Sequence, residues 1–200
     1  MMRTLPADFS RPATALAIGA SAGGVEALLH LLADLPRDFA LPVIVVLHVS
    51  DERTSLLPEV FGYRLALPVR EASDKQAIEP GTVYFAPPGY HLLVENDLSF
   101  SLSCDPREHY SRPSIDVMMD SAADAWGEGL AGVLLTGANE DGAAGLSCVG
   151  KAGGLTVVQD PAEAQVSTMP QAAIDLKSPD FVLSLKDIKT LIARLSPAPQ

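Results

Sequence analysis

The sequence predicts an α/β fold with a doubly wound, mostly parallel sheet flanked by helices, and three observations carry that prediction. Apolar runs rich in Val, Ile and Leu alternate with stretches of helical spacing along the chain. The runs at 42–48 (PVIVVLH), 130–136 (LAGVLLT) and 155–159 (LTVVQ) are continuous, as parallel strands covered on both faces require. Near residues 66–103 the pattern breaks into short strand-like pieces divided by turn residues, which predicts an antiparallel β extension.

The first strand is the run 13–20, and it ends at Gly19-Ala20-Ser21-Ala22-Gly23. A helix follows, with Val25, Leu28, Leu29 and Leu32 spaced for one buried face. The turn between them reads G-x-S-x-G. Small neighbours let the backbone double back, so the Ser21 hydroxyl can stand clear of the sheet beside amides at the helix start. Similar turns hold phosphates or simply permit close helix packing, so the motif alone leaves the chemistry open. The second strand, 42–48, delivers His48. In the middle, 82–86, 91–95 and 98–103 are separated by Pro87-Pro88-Gly89 and Asn96-Asp97, which suggests hairpins. A helix is expected at 114–126, with Ser114 as its N-cap. After the strand at 130–136, a short helix is expected within 139–152.

Two hundred residues with 48% hydrophobic content suit one domain, read here as 13–195, with flexible ends at 1–12 and 196–200. Fourteen basic against 25 acidic residues give a net charge of −11, which disfavours nucleic acid and anionic membrane surfaces as partners. The start, MMRTLPADFSRP, lacks the apolar core of a secretory signal. The most apolar run, 41–49, is about nine residues, well short of the roughly 20 that span a bilayer. A cytoplasmic protein without membrane insertion is the expectation. Cys104 and Cys148 share no metal-type spacing and read as reduced thiols.

Ligands of doubly wound sheets gather beyond the carboxyl ends of the strands. Ser21, His48 and Asp141, the last in Thr136-Gly137-Ala138-Asn139-Glu140-Asp141-Gly142, all fall there. Acyl transfer uses this set: imidazole takes the serine proton, and the carboxylate orients the imidazole. Each residue has a plainer reading. A strand-end histidine is commonly a packing residue, and Asp before Gly is a common turn. Their coincidence on one rim favours catalysis. The order Ser, His, Asp differs from the Ser, Asp/Glu, His of α/β-hydrolases, which disfavours a standard esterase or lipase.

Seven blocks in order (AIGASAGGVEAL, VIVVLHVS, GTVYFAPPGYHLLVE, RPSIDVMMDSAA, GVLLTGANEDGAAGL, AGGLTVVQD and MPQAAI) resemble the catalytic domain of the chemotaxis receptor methylesterases, the CheB family. The likeness covers roughly residues 13 to 195. It implies a protein-glutamate methylesterase that removes methyl esters from the cytoplasmic helices of methyl-accepting chemoreceptors, with receptor glutamine deamidation in many members. It also implies a nucleophile at Ser21, a base at His48, an orienting carboxylate at Asp141, and no metal or organic cofactor. Backbone amides of Ala22 and Ala138 are the oxyanion donors on this reading, and His109 is a candidate substrate contact with loop anchoring as its alternative.

Three departures accompany the likeness. Only about twelve residues precede the first strand, where regulated members carry a receiver domain; activity without phosphorylation is expected, or control by a separate regulatory partner. Ala138-Asn139 stands where the best-known members have Met-Gly, and Ser21 and His48 are followed by Ala22 and Val49-Ser50 rather than Thr and Met-Pro. His30 reads as solvated and His91 as structural. Asp116 and Ser121 read as helix bracing, and Val117, Met118 and Met119 as core. Two alternatives stay open: a catalytically inactive CheB-like binding module of a chemosensory complex, and a phosphate-binding domain, which the missing G-x-G-x-x-G and P-loop lysine disfavour.

Overall fold

The computed structural model describes residues 5–48 and 56–197. The chain opens with β1 (Arg11–Ala13), β2 (Ala15–Ala20), α1 (Gly24–Leu32), β3 (Val43–Leu47), α2 (Leu57–Gly62), β4 (Val69–Glu71) and β5 (Val83–Phe85). It continues through β6 (His91–Val94), β7 (Phe100–Ser103), α3 (Ile115–Trp126) and β8 (Leu130–Leu134). It closes with α4 (Ala143–Lys151), β9 (Leu155–Gln159), α5 (Thr168–Leu176), β10 (Phe181–Leu183), α6 (Leu185–Ala193) and β11 (Leu195–Pro197).

Seven strands form one sheet in the order β10-β9-β8-β2-β3-β5-β4, with every adjacent pair parallel. The chain leaves β2 toward β4 on one side and later returns to build β8, β9 and β10 on the other. The order therefore reverses at β2, and its carboxyl end is the switch point where such sheets take their ligands. Successive strand residues point to opposite faces, which divides the core in two. Leu16, Ile18, Val43 and Val45 pack against α1 and α6 through Leu28, Leu31, Leu32, Ile188 and Ile192. Ala15, Ala17, Ile44 and Val46 join the α3, α4 and β6–β7 side through Met118, Met119, Leu146, Leu92 and Phe100. Their burial on both faces explains why these strands read as unbroken apolar runs.

The antiparallel part is narrower than 66–103. It is the β6–β7 pair, with a bridge from Ala77 to Ser99, while β4 and β5 belong to the parallel sheet. Val83, Tyr84 and Phe85 are all fully buried, so this segment behaves as an interior strand. The ends are also less free than expected: Arg11, Pro12 and Ala13 pair with Leu195, Ser196 and Pro197. Burial of Ala13 and Leu195 accompanies that pairing, which satisfies backbone groups that would otherwise lose water. In α1 the buried face is Ala27, Leu28, Leu31 and Leu32, whereas Val25 is exposed. Val117 is half-buried, in contrast to fully buried Met118 and Met119. Both cysteines are free. Val49 and Ser50 lie outside the described residues.

Candidate active site

The site grows from three neighbouring strand ends. Ala20 pairs with Leu47, so Ser21 and His48 occupy the next rung beyond the ladder. The backbone keeps its register there: His48 N donates to Ala20 O at 3.0 Å, and Ser21 N donates to Thr136 O at 3.0 Å. Ser21 is thus flanked by His48 on one side and the β8–α4 turn on the other. Beyond Ser21 the chain reverses through Gly23, whose φ of 80° is a left-handed conformation that favours glycine. Thr136 Oγ1 donates to Ala22 O at 2.8 Å and ties the two turns together.

Asp141 enters from the second turn, just before Gly142, whose φ is 98°. That left-handed residue delays the start of α4 to Ala143 and turns the Asp141 side chain inward, where it is fully buried. Four donors converge on its carboxylate. His48 Nε2 lies 2.8 Å from Oδ2, Ile115 N donates to Oδ2 at 2.7 Å, and Asp116 N and Ser114 Oγ donate to Oδ1 at 3.0 and 2.8 Å. The two amides belong to the first turn of α3, where helix geometry leaves N–H groups without intrahelical partners. Burial by itself would raise the Asp141 pKa, but the hydrogen bonds from His48, the amides and Ser114 outweigh it and hold the carboxyl below its ordinary range. An ionised carboxylate accepts only, so His48 Nε2 carries the imidazole hydrogen and Nδ1 is the basic nitrogen.

Asp116 has a different task from bracing its own helix. Its Oδ1 accepts from Gly142 N at 2.9 Å and Gly145 N at 2.6 Å, capping the start of α4. Burial raises its pKa, and the Asp141 charge adds to that rise. Ser121 does brace: its Oγ accepts from Val94 N and donates to carbonyls of α3. His91 is structural, fully buried with Nε2 at Pro106 O and Nδ1 accepting from Ser114 N. His30 is exposed.

The remaining expected site residues divide. Ala22 and Ala138 are exposed on the two turns, and among the described residues their amides donate to no protein acceptor. His109 turns from the rim: its ring nitrogens lie 3.3 Å from Asp116 Oδ2 and 3.4 Å from Glu140 Oε1. It lines a cleft of about 540 Å³ with Asp116, Glu140 and Leu176, and neither Ser21 nor His48 lines that cleft. Those contacts supply the anchoring alternative. Ser21 is half-buried, and among the described residues its Oγ makes no hydrogen bond to His48. Sequence reasoning missed Ser111, whose Oγ is 3.4 Å from His48 Nδ1, and Asn139, whose side chain reaches both Ser111 and Asp141 N. No local pattern marks either residue, because loop packing brings Ser111 to the histidine and Asn139 to Ser111. The described residues contain no group of three or more His, Cys, Asp or Glu able to hold a metal, and no helix long and apolar enough to cross a membrane.

Comparison with known proteins matches residues 16–192 to the CheB methylesterase family. A putative protein-glutamate methylesterase/protein-glutamine glutaminase of Leptospira interrogans is 44% identical over 181 residues, covering 90% of this chain and 94% of that protein. The protein-glutamate methylesterase FrzG of Myxococcus xanthus is 38% identical over 88% of this chain, which spans 53% of the Myxococcus protein. The crystal structure of the Thermotoga maritima CheB methylesterase catalytic domain superposes with a TM-score of 0.86 at 30% identity, covering 90% of this chain and 97% of that one.

Proposed function

The chain belongs to the CheB methylesterase family, and from that premise we propose that it is a serine hydrolase that demethylates glutamate γ-methyl esters on chemoreceptors. The observation that carries this reading is the 2.8 Å bond between His48 Nε2 and a buried, ionised Asp141, made by the histidine that shares a rung with Ser21. It leaves Nδ1 as the acceptor for the serine proton.

Ser21 Oγ attacks the γ-carbonyl carbon while His48 Nδ1 takes the hydroxyl proton. The amides of Ala22 and Ala138 stabilise the oxyanion of the tetrahedral intermediate. Collapse breaks the bond to the methoxy oxygen, which leaves as methanol with the proton held by His48. Water, deprotonated by the same nitrogen, then attacks the acyl-Ser21 ester and releases the glutamate carboxylate. An amide substrate follows the same course with ammonia leaving, which accounts for glutamine deamidation. The receptor helices are the protein substrate on this reading, and the chain acts on them without phosphorylation.

Incubation with a fluorophosphonate probe tests the chemistry. Labelling mapped to Ser21 and absent in Ser21→Ala is the expected result. A folded wild-type chain that resists the probe would instead be a CheB-like binding module without activity.

A further inference from the structure

The loop at 107–113 brings a second hydroxyl to the basic nitrogen of the site. Ser111 Oγ lies 3.4 Å from His48 Nδ1, the atom that must accept the Ser21 proton. Hydrogen positions around it follow from donor capacity. Asn139 Oδ1 accepts from Asp141 N, which directs Asn139 Nδ2 to Ser111 Oγ at 3.4 Å and His109 O at 3.3 Å. An amide nitrogen only donates, so Ser111 Oγ accepts there and its own hydrogen goes elsewhere. Two acceptors are in reach: His48 Nδ1, and His109 O at 3.5 Å. Neutral Nδ1 has one lone pair. While the Ser111 hydroxyl occupies it, Ser21 has nowhere to pass its proton.

We propose that Ser111 is a positioning residue that caps the basic nitrogen of His48 in the resting protein and must swing to the His109 carbonyl before Ser21 can be activated. This rests on the serine-hydrolase reading. Ser111 keeps its proton throughout and exchanges one acceptor for another, so the overall chemistry is unchanged. Asn139 holds the oxygen in place during the swing. Left-handed backbone at His109 (φ 46°) and Tyr110 (φ 64°) shapes the loop that supplies the second acceptor. Among the described residues, the charged groups around His48 are Asp141 directly and, through the loop, His109 with Asp116 and Glu140. None of them is altered by a change at Ser111.

The test is the rate of fluorophosphonate labelling of Ser21. With the cap removed, Ser111→Ala should label roughly two- to tenfold faster than wild type, the size of one neutral hydrogen bond. Ser111→Thr keeps a hydroxyl and should restore the wild-type rate, which a merely structural role for the side chain would not require. A Ser111→Ala protein that labels no faster overturns the cap alone. Wild-type protein that does not label at Ser21, or His48→Gln that labels as fast as wild type, overturns the hydrolase reading and the cap with it.

Discussion

The two turns at the centre of the rim are built alike and do opposite things. Each follows a buried strand, passes through a left-handed glycine and opens a nine-residue helix that lacks a side-chain cap at that glycine. The β2–α1 turn leaves the Ser21 hydroxyl without a bond to His48, whereas the β8–α4 turn locks Asp141 with four donors. The difference comes from a third element. The start of α3 aims two amides and the Ser114 hydroxyl at the second turn. One backbone device thus presents either a reactive group or a rigid one, according to what packs against it.

Substitution at the two turns should separate these roles. Ser21→Ala should lower methyl-ester turnover by roughly 10⁴-fold or more while leaving the melting temperature unchanged, because among the described residues the lost hydroxyl holds no hydrogen bond. Asp141→Asn should also be severe in turnover, about 10³–10⁴-fold, since an amide can favour the wrong tautomer of His48. Unlike the serine change, it should destabilise the fold. Its NH₂ faces groups that donate, at a cost of about 1–3 kcal/mol and roughly 2–10 °C in Tm. Equal melting temperatures for both variants would break the comparison.

The glycines sharpen it further. A methyl group at Gly142 would meet Leu134 Cδ1 at 2.4 Å and Ile115 Cγ2 at 2.8 Å, in the packed interior. At Gly23 it would meet a single exposed side chain, Gln165, with Oε1 at 2.4 Å and Cβ at 2.9 Å. Gly142→Ala should therefore cost about 2–5 kcal/mol, left-handed strain plus overpacking, and Gly23→Ala about 1–2 kcal/mol, chiefly the strain. Urea unfolding of both variants measures the contrast. The smallest effect is electrostatic. The Asp141 pKa is lowered in the folded protein, so its stabilising contribution is full above the unfolded value of about 3.9 and is lost as pH falls through the lower folded value. The stability gap between wild type and Asp141→Asn should accordingly narrow below about pH 4. A gap that stays constant down to pH 2 would mean that the carboxylate is not held in its charged form.

Much of this site was legible before any coordinates. Ser21 and His48 stand at the ends of apolar runs and Asp141 lies in the turn just past a third, and a parallel sheet brings the ends of its strands to one rim. The rung shared by Ser21 and His48 follows from the same geometry. Ser111 was not legible as a partner of His48, nor Asn139 as a partner of Ser111, because they meet through loops whose course is set by tertiary contacts such as the Asn139 bond to His109 O. The same limit hid the Asp116 cap on α4. Val25 misled because apolar spacing alone does not say which face of α1 meets the sheet; Ala27 and Leu31 take the buried positions. Val83–Phe85 misled because its length suggested a hairpin, although its unbroken apolar character fits the interior position it holds.

The most direct test of the central claim is to mix the chain with a methylated chemoreceptor fragment, quench with acid during turnover and weigh the peptide that contains Ser21. Wild-type protein should carry a glutamyl ester on the Ser21 oxygen and release methanol, with neither product above background in Ser21→Ala. Methanol released equally fast by Ser21→Ala, with no adduct on the wild-type peptide, would contradict that claim.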